Sequence, residues 1–498
     1  MIISLDIGTT NMKAGLFDER GRLLASANRP NEIRTAADSF SYYDPEQLWG
    51  NIAAMIRQLT AGKPGLAVRA IGITSMAESG LLADRSTGKP RSPILPWFER
   101  CSLDQAKAIE DEVDAFEQFQ ATGLRPSFKY GLAKLLWLKE RNEDSLRSAV
   151  WLSVSSYIAS RLTGKVAEDY TLAARSYVFR IAEKQWDAPL LRHFGLEEEL
   201  LPPVVPTGSA AGSVTSAAAG ALGLTAGTQV FLAGHDHVCA SLAVGLSPRG
   251  GIYNSIGTAE TVVGSFGERT LTEADYASGL AYGLHPVPGQ LFWLGGHSSS
   301  GGSVEWLREV IGEEKAGYER ILELLDEASP MPSGIIYLPY LSGCGAPAPD
   351  PYAKAAFIGL AKSHGRRELL RAVLEGNAYQ MESIRRCAEA VSGSPIRRLR
   401  VVGGGVRNRH WLQIKADVSG IALEVPDIPE AALTGAAITA GVGSGVYASF
   451  QEASKAHTGE GSAKAVFTPN PERHARYSEL YEHRFLTYSR MLSEARLD

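Results

Sequence analysis

The sequence predicts an α/β protein made of two related halves, and three observations carry that expectation. Strand-like and helix-like runs alternate from one end of the chain to the other. A strand–turn–strand unit occurs twice: Ile7-Gly8-Thr9 with Gly15 and Phe17 is echoed by Ile256-Gly257-Thr258 with Gly264 and Phe266, at five equal offsets. A Gly/Pro-rich stretch, Gly245-Leu246-Ser247-Pro248-Arg249-Gly250-Gly251, lies just before the second copy, where a linker is expected. The chain accordingly divides into duplicated domains, 1–246 and 247–498.

Taken in order, Ile2 to Ile7 is an apolar strand, Gly8-Thr9-Thr10 a turn, and Met12 to Phe17 a second strand ending in the turn Asp18-Glu19-Arg20-Gly21, together a hairpin. A helix is expected over Pro45 to Ala61, a strand over Val68 to Thr74, and helices over Leu103 to Gly123 and Gly131 to Glu140. Val230 to Ala233 reads as a strand that runs into Gly234-His235-Asp236-His237 and then a helix-like run to Val244. In the second half, Leu369, Leu370, Val373, Leu374, Met381 and Ile384 recur at helical spacing within Arg366 to Cys387, the mark of a buried helix face. Leu399 to Val402 is a short strand leading into Gly403-Gly404-Gly405, where the backbone is free to pass close to something flat or charged. A helix through Trp411, Ile414 and Val418 to Gly420 follows, and the segment from Phe467 onward reads as a terminal helix.

Composition removes several classes of function. The 498 residues carry 50 Lys+Arg against 55 Asp+Glu, a net −5, so the electrostatic footprint of a nucleic-acid binder is absent. With 44% apolar and 21% charged residues the chain is expected to fold into two or more globular domains. Cys101, Cys239, Cys344 and Cys387 form no CxxC pair, which argues against a zinc knuckle or a disulfide framework and for a reducing cytoplasm. The opening MIISLDIG lacks the basic start and long apolar core of a signal peptide, and no run of 18 apolar residues occurs, so no membrane partner is expected.

Neither GxxxxGK[ST] nor a helix-opening GxGxxG is present, so any phosphate site is built another way. Two glycine-threonine turns, Gly8-Thr9-Thr10 and Gly257-Thr258, would offer N–H groups and hydroxyls from two sides, with Lys13 adding charge. Asp6 would then hold Mg²⁺ through water, or simply cap its turn. Asp236 lies at a strand-to-helix turn, where a helix N-terminus favours the ionised carboxylate. It could take the proton of a substrate hydroxyl attacking a phosphoryl group, and it is the second carboxylate expected at the metal. Two other readings of the same cluster stand beside this one: His235, Asp236 and His237 as ligands of a hydrolytic metal, with His297 reaching in, or Asp236 as a helix cap. Glu78 follows a strand at the carboxyl end where α/β proteins bind ligands, and a carboxylate there suits sugar hydroxyls. Trp97 could stack on a sugar face with Glu99 and Arg100 hydrogen-bonding, or pack in a core.

In this order, Asp6-Ile7-Gly8-Thr9-Thr10, Gly234-His235-Asp236, Gly257-Thr258 and Gly403-Gly404-Gly405-Val406-Arg407-Asn408 resemble the FGGY family of carbohydrate kinases over almost the whole chain. Ala355-x-Phe357-x-Gly359-Leu360, then seven residues, then Glu368-Leu369-x-x-Ala372-Val373-Leu374-Glu375 is similar to that family's carboxyl-half signature at every defined position. The resemblance implies a two-lobed actin-like ATPase fold, of the ribonuclease H-like type, with ATP in the cleft between the lobes. It implies that Asp6, Thr9 and Thr10 meet phosphate and Mg²⁺, that Gly257 and Thr258 hold the phosphates from the other side, and that Gly404, Gly405 and Asn408 lie along the adenosine. Asp236 matches the family's catalytic base, and a homodimer is compatible with the resemblance alone.

Departures concentrate on the acceptor side. The amino-half signature survives as Lys134-Leu135-x-Trp137-Leu138-x-Glu140, but its flanks do not. Xylulose kinases have Met-His-Gly where this chain has Met76-Ala77-Glu78, and glycerol kinases have an Arg-Glu pair of which only the Glu is present. The Trp-Asn-Asp of xylulose kinases appears as Trp97-Phe98-Glu99. Such changes alter hydrogen-bond partners at the substrate and with them selectivity. The expected activity is transfer of the ATP γ-phosphoryl group to a primary hydroxyl of a ketose, a pentulose first, or of a polyol. A metal-dependent hydrolase and an actin-like regulatory ATPase without a sugar acceptor are the rivals.

Overall fold

The strand β1 (Ile2–Ile7) is buried at all six residues, so it must lie inside a sheet covered on both faces. In the computed structural model, which describes residues 1–63, 66–245, 252–313, 315, 317–428, 430–458 and 463–495, β1 is indeed central. It pairs antiparallel with β2 (Asn11–Phe17), which pairs with β3 (Leu23–Pro30), and parallel with β4 (Ala70–Ser75). The edge β5 (Ala210–Ser213) is antiparallel to β6 (Gln229–His235), giving the order β5-β6-β4-β1-β2-β3.

The second half repeats this arrangement. β7 (Ile252–Ile256) pairs antiparallel with β8 (Glu260–Gly267), which pairs with β10 (Gln290–His297), itself flanked by β9 (Ala281–Leu284). On its other side β7 runs parallel to β11 (Arg398–Val402), followed by β12 (Ala422–Pro426) and an antiparallel edge strand β13 (Ala463–Phe467). The two sheets share one topology apart from the extra β9. The sequence echo thus falls at equivalent places, Ile7 ending β1 and Ile256 ending β7.

The helices follow the expected pattern with instructive shifts. α1 (Pro45–Thr60) begins at Asp44, whose carboxylate accepts from the N–H groups of Glu46 and Gln47, with Pro45 at the first position. The single helix expected over Leu103 to Gly123 is two, α2 (Leu103–Glu112) and α3 (Ala115–Thr122), because Asp114 caps a new start and Gly123 closes it at φ +76°. α4 (Gly131–Arg141), α5 (Val154–Thr163), the single turn α6 (Tyr170–Ala173) and α7 (Asp236–Ala243) are the other first-half helices near the site. In the second half come α8 (Gly301–Val310), α9 (Tyr318–Asp326), α10 (Arg366–Ser392), α11 (Arg409–Ser419) and α12 (Ala431–Gly443). The expected terminal helix starts later: Phe467 ends β13, and α13 (Pro471–Leu480) and α14 (Leu486–Ala495) are joined by one π-helical turn. The linker expected at residues 245–251 lies, beyond Gly245, outside the described residues.

The two halves are not cored separately. α12 comes from the second half yet packs on β1, β4 and β6 of the first sheet and on α7. Glycines set this approach: a Cβ on Gly72 would stand 2.2 Å from the carbonyl oxygen of Ala436, and one on Gly435 would stand 2.1 Å from that of Cys239. From the other direction, α3 ends against the second half, where Gly123 accepts from the Tyr282 N–H at 2.9 Å and the Phe119 ring meets Tyr282 edge-on. Since backbone cannot move aside as a side chain can, Gly72→Ala should destabilise the protein by about 1–3 kcal/mol. Chemical denaturation measures it, and a loss within experimental error would show that α12 is not seated on β4 in this way.

Candidate active site

Asp6 and the two glycine-threonine turns lie at corresponding strand ends. In the first turn all three carbonyls are engaged by the protein: Gly8 by the Asn31 side chain at 2.9 Å, Thr9 by the Tyr43 hydroxyl at 2.9 Å, and Thr10 by the Asn31 N–H at 2.8 Å. What remains to offer an anion is N–H groups and the exposed Thr10 hydroxyl. In the second turn, Gly257 accepts from Gly301 N–H, and Thr258 from the N–H groups of Ser300 and Gly302, each at 3.0 Å, so the start of α8 is bolted to that turn. Just behind it Glu260 is wholly buried, paired with Lys415 at 2.5 Å and accepting from Ser300 Oγ at 2.6 Å. Burial works against its charge, but Lys415 and His297 hold the carboxyl down at about 2.

The Asp236 turn is pinned from three sides. Gly234 has φ +82°, and a Cβ there would stand 2.0 Å from Thr171 Oγ1. Its carbonyl accepts from Thr74 Oγ1 at 2.7 Å, while the His235 N–H bonds Thr171 Oγ1 at 2.8 Å. Thr171 in turn donates to Asp169 at 2.6 Å, and Thr207 donates to the same oxygen at 2.8 Å. Asp236 opens α7 and accepts from its neighbour's N–H, that of His237, at 2.7 Å. The expectation that a helix N-terminus keeps this carboxylate fully ionised is corrected: burial pushes Asp236 up to about 7, with the charge of Glu78 adding to the shift. Asp6 is likewise raised to about 7, by burial first and then by Asp236. Burial drives His237 down to about 4 and His235 well below the usual range, so both rings are neutral.

On the acceptor side, Glu78 takes the left-handed conformation at φ +57°, uncommon for a residue with a Cβ. Both Nε and Nη2 of Arg175 bond its Oε1, at 2.7 and 2.6 Å, and the pair is nearly buried. The arginine that pairs with Glu78 thus comes from just beyond α6, about a hundred positions along the chain. Trp97 is half-buried, its indole N–H donating to Thr9 Oγ1 at 2.9 Å and its ring carrying the Lys129 ammonium at 5.3 Å. Glu99, expected to face sugar hydroxyls, accepts instead from the Ser41 N–H at 2.6 Å and so holds a loop.

The nucleotide-side residues have partners too. Lys13 pairs at 2.7 Å with Glu430, at the head of α12, instead of standing free. Gly403 and Gly405 are required by contact with Ile256, whereas a Cβ on Gly404 would meet open space. The Asn408 side-chain oxygen Oδ1 caps α11 by accepting from the Trp411 N–H at 3.1 Å, and Nδ2 donates to the Tyr318 hydroxyl at 3.2 Å. Arg175, Thr171 and Tyr318 escaped the sequence reading; Asp169-x-Thr171 is a legible capping pattern, but its grip on β6 is a tertiary contact.

The set of donors discriminates between metals. Asp6 and Asp236 are carboxyl groups short of countercharge, a chemistry that fits a hard divalent cation such as Mg²⁺. Among the described residues no group of three or more His, Cys, Asp and Glu side chains is arranged to hold a metal, so the His235-Asp236-His237 zinc-type site is not formed. No helix among them is long and apolar enough to cross a membrane.

Comparison with known proteins agrees with this geometry. Glycerol kinase from Gloeobacter violaceus is 30% identical over 469 residues, covering 91% of this chain and 90% of that protein. Xylulose kinase from Lactococcus lactis is 27% identical over 484 residues, covering 97% and 95%. The structure of a ligand-bound xylulose kinase from Lactobacillus acidophilus superposes with a TM-score of 0.90 over 99% of both chains at 22% identity. Residues 1–243 match the N-terminal domain of the FGGY family of carbohydrate kinases and residues 252–444 its C-terminal domain. With both domains matched and the two-lobed actin-like fold in place, this chain belongs to the FGGY family, the ATP-dependent phosphotransferases that act on carbohydrates.

Proposed function

We propose that the enzyme transfers the γ-phosphoryl group of ATP to a primary hydroxyl of a ketose or polyol of about three to five carbons, with Asp236 as the base. The observation that carries this reading is the position of Asp236: a half-buried carboxylate beside the buried Asp6, in electrostatic reach of Glu78, which Arg175 pairs. The acceptor's remaining hydroxyls bond Glu78 and Arg175, whose fixed pair offers both an acceptor and donors. Asp236 takes the proton of the attacking hydroxyl; that oxygen forms its bond to the γ-phosphorus while the bond to the bridging oxygen breaks and ADP leaves. A carboxyl poised near 7 suits such a transfer, being a stronger base than a solvated aspartate yet ionised in part at neutral pH.

Thr9, Thr10, Gly257 and Thr258 hold the phosphates, with Gly404 open toward the adenosine. Asp6 and Asp236 are the residues that would hold Mg²⁺, which when bound neutralises charge on the transferring phosphates. Lys13, held by Glu430, has further N–H bonds to offer the phosphates. The domain limits 1–246 and 247–498 belong to the same reading, with α12 serving both halves.

ADP release measured with ATP and Mg²⁺ against glycerol, tetritols, pentitols, ketopentoses and ketohexoses tests the proposal. Stimulation by one class is expected, and a response that no acceptor raises would sink it. Asp236→Asn should cut turnover at least about 100-fold while ATP binding by calorimetry stays unchanged. Near-normal turnover in that variant would remove Asp236 from its role.

A pH experiment follows from the same carboxyl. Its folded-state value near 7 lies above the ordinary 3.8, so the neutral form favours folding. That contribution is complete below about pH 4 and is lost as pH rises through about 7. In metal-free buffer the thermal midpoint of the wild type should therefore fall, relative to that of Asp236→Asn, between about pH 5 and pH 8. A difference that stays constant over the interval would show that the carboxyl is not raised.

A further inference from the structure

The surviving amino-half motif Lys134-Leu135-x-Trp137-Leu138-x-Glu140 has no part in the chemistry described so far, yet its lysine is the least ordinary residue of α4. Lys134 is fully buried and, among the described residues, has no carboxylate within ion-pair distance. Its ammonium instead donates to three main-chain carbonyls, those of Glu78 at 2.5 Å, Pro96 at 2.8 Å and Leu95 at 3.4 Å. Three acceptors match the three N–H bonds of an ammonium. These carbonyls come from two loops: one holds Glu78 in its left-handed conformation, the other leads directly into Trp97. The loops also meet at Gly80 and Leu95, which exchange backbone hydrogen bonds, and at Trp97 N–H to Ser79 Oγ, 3.0 Å.

We infer that Lys134 is a positioning residue for the acceptor site, its ammonium fastening together the two loops that carry Glu78 and Trp97. The inference rests on the proposed function, in which those two side chains face the acceptor. A packing role does not account for it, since a methionine fills similar space without bringing an ammonium into the core, and burying that charge is costly unless its hydrogen bonds are needed. The tie is to backbone, so it fixes where the loops run and leaves the Glu78 carboxylate free for Arg175. None of the three carbonyls belongs to the glycine-threonine turns, so its removal acts on acceptor binding and spares ATP.

The test compares Lys134→Met with Lys134→Arg, each checked for its thermal midpoint and for ADP binding, using D-xylulose or glycerol, whichever turns over faster in the wild type. Lys134→Met should raise KM for the acceptor about ten-fold or more and leave KM for ATP within about two-fold. Lys134→Arg, which keeps the charge and donors, should recover most of that loss. Both KM values rising together, an unchanged acceptor KM in Lys134→Met, or an arginine variant no better than the methionine one would overturn the role of Lys134. If Lys134→Met does not fold, Lys134→Gln replaces it under the same criteria. Where neither of these two responds, the fastest other acceptor of the full panel takes their place, and a wild type whose ADP release no acceptor stimulates would instead overturn the proposed function.

Discussion

The backbone-on-backbone contact of α12 with the first sheet governs the rest of the molecule. Gly72 and Gly435 bring this helix of the second half to within carbonyl distance of β4 and of α7. Because α7 begins at Asp236 and α12 is preceded by Glu430, the same seating sets Asp236, the Lys13 partner and the spacing of the two glycine-threonine turns. A duplicated fold would otherwise have two cores free to drift. Here a helix of one copy is part of the other's core, and α3 with Gly123 makes a similar tie in the opposite direction. Close-packed interiors transmit small displacements, so the cleft geometry is inherited from glycines far from any ligand.

How far the sequence could be read depended on whether a feature is local. The hairpin Ile2 to Phe17, the echo at Ile256-Gly257-Thr258 and the strand into Gly234-His235-Asp236 are contiguous patterns, and the structure has them where expected. The break at Asp114 is local too, but helical periodicity on both sides outweighed a capping residue. Arg175 could not be found from sequence, because its partner Glu78 is remote and nothing in the segment around it marks an ion pair. The glycine run after β11 was legible as a close approach, although two of its members approach Ile256 and not a ligand. Ionisation was the least legible property: helix-terminus chemistry argued for a charged Asp236, while burial, which only the fold determines, argued the other way and prevailed.

Charge in the cleft is divided by function. Glu260 is buried with Lys415 and stays ionised, a structural pair that secures the second turn. Asp6, buried, and Asp236, half-buried, have no equivalent cation and are raised to about 7. The protein therefore withholds countercharge at one place in the cleft and supplies it next door. That asymmetry separates the carboxylates that hold the fold from those left to answer to ligands.

The hydrogen bond from the Trp97 indole to Thr9 joins the acceptor loop to the first phosphate turn without an intermediary. A ligand that tilts the indole alters the free energy of the turn, and a nucleotide that orders the turn alters the free energy of the indole. Linkage makes the two effects equal in size, so whatever coupling this one hydrogen bond carries is shared equally by the two sides. A substitution at Trp97 or Thr9 themselves, which breaks that bond, is therefore the change that would be felt on both sides at once.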